Sequence, residues 1–208
     1  MKTIIKLTKI LFGIGLGLAT VLIVFTTFLT SRFHQPFNEN ELKELIKNIE
    51  LAPIADKRFF QYYSKFHSID NTTNYIINLA SQKRNPACPC LHISNLMVRG
   101  QDSGSIWKRI TKSKYVYNYK LENSLSQEQC FNYWINHYDF LYNKSGVKEA
   151  SKFYFQKPVE KLNEDEIISL LIQLINPSLN NPRRHPDRLK KRIEVYKRVI
   201  NNYSEMGD

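Results

Sequence analysis

From Ile10 to Thr30 the chain runs for 21 residues without a charged side chain, ILFGIGLGLATVLIVFTTFLT. A helix needs roughly 20 apolar residues to cross the hydrocarbon core of a bilayer. In that core every backbone amide must be satisfied inside the segment, which leaves a helix as the solution for a single span. Residues 1–31 therefore read as one N-terminal transmembrane helix, an uncleaved signal anchor. A cleaved secretory signal is the rival reading, but its apolar region would be roughly 7–15 residues and would end in a small-residue cleavage site. Here the run is longer, and Thr30-Ser31-Arg32-Phe33 is a poor site. Lys2, Lys6 and Lys9 precede the span, and Arg32 and Lys43 follow it. That basic bias predicts a cytoplasmic N-terminus and a domain outside the plasma membrane. Gly13 and Gly17 form a G-x-x-x-G pair, a spacing used on helix–helix faces, although ordinary glycine use is the simpler account of so short a match.

The 208 residues suffice for the anchor plus one domain. With 42% hydrophobic and 24% charged residues the chain can bury a core and does not have a disordered composition. Lys and Arg number 30 against 19 Asp and Glu, a net charge of +11. The three lysines before the span account for only part of that excess. A basic surface favours phosphate groups, acidic lipids or nucleic acid, and a merely solvated surface would look the same. The predicted orientation removes nucleic acid from the list of partners.

Residues 32–40, with Pro36, read as a polar linker, and 41–203 as one mainly α domain. Leu42, Leu45, Ile46 and Ile49 recur at helical spacing, and Pro53 ends that helix. Residues 54–66 are aromatic and basic, and 72–82 suggest another helix. Residues 83–105 hold Pro86, Pro89, Gly100 and Gly104 and read as irregular. Ser126 and Gln129 fit a capping box opening a helix to about Phe140. A short helix is expected over 147–155. Residues 164–175 start with three acids, which suit the positive helix end, and are apolar nearly all round, which marks a buried helix. A last basic helix covers 187–202. No strand pattern competes.

Three cysteines are present. One of Cys88 and Cys90 could pair with Cys130 outside the membrane, since Cys88-Pro89-Cys90 is too short a spacing for a relaxed bridge. His67, His92, His137 and His185 are scattered and give no zinc-ligand pattern. No metal or cofactor is expected.

The order of several motifs resembles the family-51 glycosyltransferases, which polymerise the lipid-linked disaccharide precursor of bacterial cell walls. Leu121-Glu122, Leu125 to Gln129 and Tyr133 to Asn136 are similar to the family's Leu-Glu, Ser-Lys-Glu-Glu and Tyr-Leu-Asn. Gly146 to Ala150 and Tyr154 to Lys157 resemble its Gly-Val-Glu-Ala-Ala and Tyr-Phe-Gly-Lys. Leu162 with Glu166, then Asn176-Pro177-Ser178, Asn181-Pro182 and His185-Pro186, follow its later pattern. Asp56 to Phe60 with His67 to Asp70 resembles Glu-Asp-x-x-Phe … His-Gly-Ile-Asp. The resemblance implies a lysozyme-like helical domain against the outer membrane face, of the single-domain type without a transpeptidase domain.

It also implies a site. The family uses the Glu of Glu-Asp-x-x-Phe as its base, and here that position is Ala55, which cannot transfer a proton. Asp56 is the neighbouring candidate for catalysis. The family's second essential Glu falls near Lys114. Its Gly-Ser-Thr-Ile-Thr-Gln-Gln stretch is matched only by Ser103 to Arg109. Lys108, Arg109, Lys112 and Lys114, with Lys57 and Arg58, stand where the family binds its substrate's pyrophosphate, a charge that cations stabilise. Expected partners are the lipid-linked precursor, the membrane and other cell-wall synthesis proteins. Three functions remain open: a glycosyltransferase with a relocated base, an inactive binding or scaffold protein, and a membrane-anchored domain whose charge binds acidic lipid or another protein.

Overall fold

The computed structural model describes residues 2–30, 38–81, 85–98 and 105–205. Helix α1 (Lys2–Thr30) contains the 18-residue stretch Phe12–Leu29, long and apolar enough to cross a membrane. Three of its threonine hydroxyls bond within the helix. Thr20 donates to the Gly17 carbonyl at 2.8 Å, Thr26 to Leu22 and Thr27 to Ile23, both at 2.9 Å, as an apolar solvent demands. Gly13 and Gly17 meet nothing within 4 Å. Most of the expected linker, residues 32–37, lies outside the described residues.

The domain opens with α2 (Glu39–Glu50), capped by Asn38, whose side chain accepts from the Asn40 N–H. Leu45 and Ile49 are its buried stripe. The aromatic stretch after Pro53 is α3 (Lys57–Phe66), with Asp56 as its cap. Strand β1 (Ser68–Ile69), α4 (Thr72–Ala80) and β2 (Pro86–Ala87) follow, and the two strands pair in parallel. Residues 83–105, expected to be irregular, contain α5 (Pro89–Met97). Pro89 starts this helix instead of breaking it, because the first helical position needs no N–H donor. Helices α6 (Ile106–Thr111) and α7 (Lys114–Glu122) come next; Ser113 caps α7. The predicted capping box is present: α8 (Gln127–His137) begins with Ser126 and Gln129 bonded reciprocally. Helix α9 (Gly146–Phe155) leads through a 3-10 turn (Val159–Lys161) to α10 (Glu164–Gln173), which has its own capping box from Asn163 and Glu166. The chain closes with α11 (Pro186–Glu205).

Helix α10 is the centre, as its apolar sequence predicts. Every residue from Ile167 to Gln173 is buried. It packs against α3, α9 and α11, while α5 packs against α7 and α8, and α2 closes over α8. Phe59, Leu121, Phe131, Ile135 and Phe140 join the two groups in one core. The anchor touches this body at α7, where Leu29 becomes buried.

The α8–α9 connection is strained. Leu141, Tyr142 and Asn143 all have positive φ, at 70°, 54° and 57°, which costs about 1–2 kcal/mol for each residue with a side chain. Hydrogen bonds impose it: the Phe140 N–H donates to Lys144 at 2.9 Å, the Gly146 N–H to Tyr138 at 2.8 Å, and the Leu141 N–H to the Asp139 carboxylate at 2.8 Å. Gly146 ends the turn at φ 79°, and a Cβ there would lie 2.3 Å from the Asn136 carbonyl oxygen. Gly146→Ala is expected to destabilise the domain by about 2–4 kcal/mol, combining left-handed strain and steric overlap. Chemical denaturation of the two proteins measures this, and a change below about 1 kcal/mol would contradict the assigned backbone.

Candidate functional site

Glu122, at the end of α7, organises one wall. Its carboxylate accepts from the Thr72 N–H at 3.0 and 3.2 Å and from the Thr72 hydroxyl at 2.9 Å. Asn118 reaches it at 3.1 Å, Gln127 at 2.7 Å and the Cys88 thiol at 3.3 Å. These donors belong to α4, α7, α8 and the residue before α5. Burial, reinforced by the Glu122 charge, pushes the Cys88 thiol up to about 12, so it stays protonated and able to donate. A disulfide joins Cys90 of α5 to Cys130 of α8, leaving Cys88 free and buried. The Cys90 N–H also donates to Gln127 at 3.1 Å.

A second clamp lies at the start of α3. Asp56 accepts from the Arg58 backbone at 3.0 Å, and the Arg58 guanidinium meets both carboxylate oxygens at 2.7–3.1 Å. The same guanidinium donates to the carbonyls of Leu162 at 2.8 Å, Glu160 at 3.1 Å and Val159 at 3.2 Å. The Arg58 hydrogen bond holds the Asp56 carboxyl below its usual range, although burial opposes it. Ala55 beside it is 7% exposed. Asn136 of α8 pins this segment by donating to the Pro53 carbonyl at 2.7 Å.

Beside the Glu122 network, which reaches it through Cys88, lies a cavity of about 400 Å³. Tyr63, His67, His92, Lys114 and Trp134 line it, with Leu171 and Leu174 of α10 at its base. The His92 and Trp134 rings stack at 4.1 Å, only 8° from parallel. Burial pushes the His92 imidazole down to about 4, with His67 and Lys114 adding repulsion, although the side chain keeps solvent access. Burial raises the Tyr63 phenol. The lining holds three cationic or ionisable nitrogen groups and no carboxylate, so the cavity suits an anion beside an apolar or ring-shaped group.

Of the predicted catalytic and substrate-binding residues whose side chains are described, Lys114 alone lines this cavity. Asp56 and Arg58 bond each other at the α3 start. Lys57 and Arg109 are exposed, and Lys112 is half-buried after α6. The Lys108 side chain and the Ser103-Gly104 pair lie outside the described residues. Sequence reasoning placed Trp134 on the apolar stripe of α8 and treated His67 and His92 as scattered. No spacing connects them, because α3, α5 and α8 bring them together from distant parts of the chain.

Residues 93–201, more than half of the chain, match the family model described as Transglycosylase. The chain belongs to the transglycosylase family. It is also similar to "Penicillin-binding protein 4" of Bacillus subtilis (strain 168), 30% identical over 95 residues. That match covers 46% of this chain and 15% of the relative, so the chain spans a small part of that protein's length. The matched family region begins inside α5 and includes Lys114, Glu122, Trp134 and all of α10.

Two outcomes follow from this geometry. Glu122→Ala would leave the Thr72, Asn118 and Gln127 donors without their acceptor, and is expected to cost about 2–4 kcal/mol in denaturant unfolding. A neutral effect would mean that water replaces the carboxylate freely. His92 titrates lower folded than unfolded, so between pH 6.5 and about 4 the unfolded chain binds the extra proton. Its contribution is complete above pH 6.5 and is lost as pH falls towards 4. The drop in melting temperature from pH 7 to pH 5 should therefore be smaller in His92→Gln than in the wild type. Equal drops would refute the assignment.

Proposed function

We propose that this chain is a membrane-anchored, non-catalytic transglycosylase-family domain that holds a lipid-linked disaccharide precursor of the bacterial cell wall. It acts as a binding or scaffold component of wall synthesis on the outer face of the plasma membrane. The observation that carries the reading is alanine at position 55, where the family resemblance places the proton-accepting glutamate. A general base must reach the proton and have a suitable pKa. Asp56 has both oxygens engaged by Arg58 and is held more acidic than usual. Glu122 is committed to Thr72, Asn118, Gln127 and Cys88. Neither carboxylate is free to take over.

Binding needs no base. In this reading Lys114 takes the precursor's diphosphate inside the cavity, and Trp134 with His92 gives a flat face for a sugar ring. Exposed Lys57 and Arg109 and half-buried Lys112 add to the basic character of the domain, while Arg58 and Asp56 hold the start of α3. Helix α1 keeps the domain where a lipid-linked ligand is confined.

The test offers purified lipid-linked disaccharide precursor to the full-length protein in detergent. No glycan chains are expected, while the precursor should bind, and Lys114→Ala should weaken binding about tenfold, the loss of one charge-assisted contact. Chains that form with wild type and vanish with Asp56→Asn would establish an enzyme with a displaced base. Absence of both chains and binding, from a folded protein, would remove the precursor as ligand.

A further inference from the structure

We infer that Lys144, Arg183 and Arg184, mounted on Tyr142 and Phe153, form a second anion-binding site for phosphate or carboxylate groups repeated along a polysaccharide. The site is separate from the cavity and does not depend on precursor binding. Its parts come from the strained α8–α9 turn, from α9 and from the α10–α11 connection.

The arginines are positioned before any ligand arrives. The Arg183 guanidinium lies 4.0 Å from the centre of the Phe153 ring and donates to the Phe153 carbonyl at 3.2 Å. Arg184 lies 5.3 Å from the Tyr142 ring centre, and its Nε donates to the Tyr142 hydroxyl at 2.9 Å. The Lys144 ammonium sits 5.8 Å from the same Phe153 ring. Below them, buried Asn181 accepts from the Arg183 N–H at 2.9 Å and the Arg184 N–H at 3.2 Å, and donates to the Tyr154 hydroxyl at 3.2 Å. The Tyr154 hydroxyl in turn donates to the Phe140 carbonyl at 2.6 Å.

Three features point to a ligand in place of a simple helix cap. Among the described residues neither arginine enters an ion pair, so both charges are uncompensated. Each guanidinium makes one hydrogen bond to the protein, leaving most of its five donors available for an oxyanion. Tyr142, which orients Arg184, is 39% exposed and held in a left-handed conformation by the turn's hydrogen bonds. Strain that surroundings impose concentrates at ligand clamps, and here it sets the ring that aims an arginine outward.

A row of fixed cations suits a repeating anion better than a single ion, since several weak contacts on one chain reinforce one another. The anchor meets the domain at α7, whereas this cluster is carried by other elements. A polymer is therefore favoured over the lipid surface. Phosphate and carboxylate offer the same planar or tetrahedral oxygens to a guanidinium fork, and the experiment separates them.

Full-length protein in neutral-lipid nanodiscs would be titrated with labelled poly(glycerol phosphate), with polygalacturonate and with uncharged dextran. Binding to vesicles of anionic lipid would be measured in parallel. One or both charged polymers should bind, dextran should not, and Arg183→Ala/Arg184→Ala should lose about tenfold or more in affinity. Arg184→Gln, at a side chain whose hydrogen bond and ring contact are both with exposed Tyr142, is expected to leave the fold undisturbed, which circular dichroism checks. It should weaken polymer binding severalfold while precursor binding stays unchanged. Failure of both polymers to bind, binding that Arg184→Gln leaves intact, or arginine-dependent binding of anionic vesicles alone would each overturn the site.

Discussion

The carboxylate of Glu122 holds the site's framework together. Four separate segments send donors to it, and three of them surround the cavity. Thr72 is the first residue of α4, so the negative charge also meets the positive end of that helix. Asn118, fully buried one turn earlier on α7, spreads the network by donating to the Thr72 hydroxyl at 2.6 Å and to the Cys88 sulfur at 3.2 Å. A buried polar network of this kind stabilises only if each member finds a partner. Its completeness explains why a short helix such as α4, with an exposed apolar face at Ile76, Ile77 and Leu79, is fixed relative to α7.

Two cross-links complete the frame. The Cys90–Cys130 bridge closes a 40-residue separation between α5 and α8, and cross-linking over such a span disfavours the unfolded chain by about 3–4 kcal/mol in the chain-entropy model. Arg58 ties α3 to carbonyls about a hundred residues later, just before α10. Its partner Asp56 prevents a half-buried guanidinium from meeting only neutral acceptors. The acid and base next to position 55 are thus consumed in holding α3 against the 3-10 turn.

Much of the fold was legible because it is written in local chemistry. The capping box of Ser126 and Gln129, the acidic start of α10 and its all-round apolar character each fix an element through neighbours in sequence. The family itself was legible in the order of motifs from Leu121 to Pro186, and the match over residues 93–201 bears that out. Helix α5 was not legible. Pro86, Cys88, Pro89 and Cys90 around its start signal a turn, whereas the segment is helical and packs against α7 and α8. Which cysteine pairs with Cys130 was also open, and their placement relative to α5 decides it. Cys90 lies inside α5 facing α8, while Cys88 precedes the helix and turns towards Glu122. The cavity was the least legible part. Lys114 was reached through the resemblance, but His92 and Trp134 meet only once two helices pack, and no spacing in the chain encodes a ring stack between them.

The charge inside the cavity decides what its chemistry can be. Family catalysis as implied by the resemblance places carboxylates at position 55 and near position 114, where this chain has the methyl group of Ala55 and the ammonium of Lys114. Exchanging a carboxylate for a lysine changes the local charge by two units in a partly enclosed space, where Coulomb interactions are stronger than in bulk water. In the proposed reading, such a site would attract an anionic diphosphate more strongly and would lack the group that activates a hydroxyl against it. The depressed basicity of His92 follows first from burial, with repulsion from His67 and Lys114 added to it. A bound anion would relieve that repulsion, so ligand capture and protonation of the cavity should favour one another. Tight holding without turnover is the behaviour that this arrangement of charges supports.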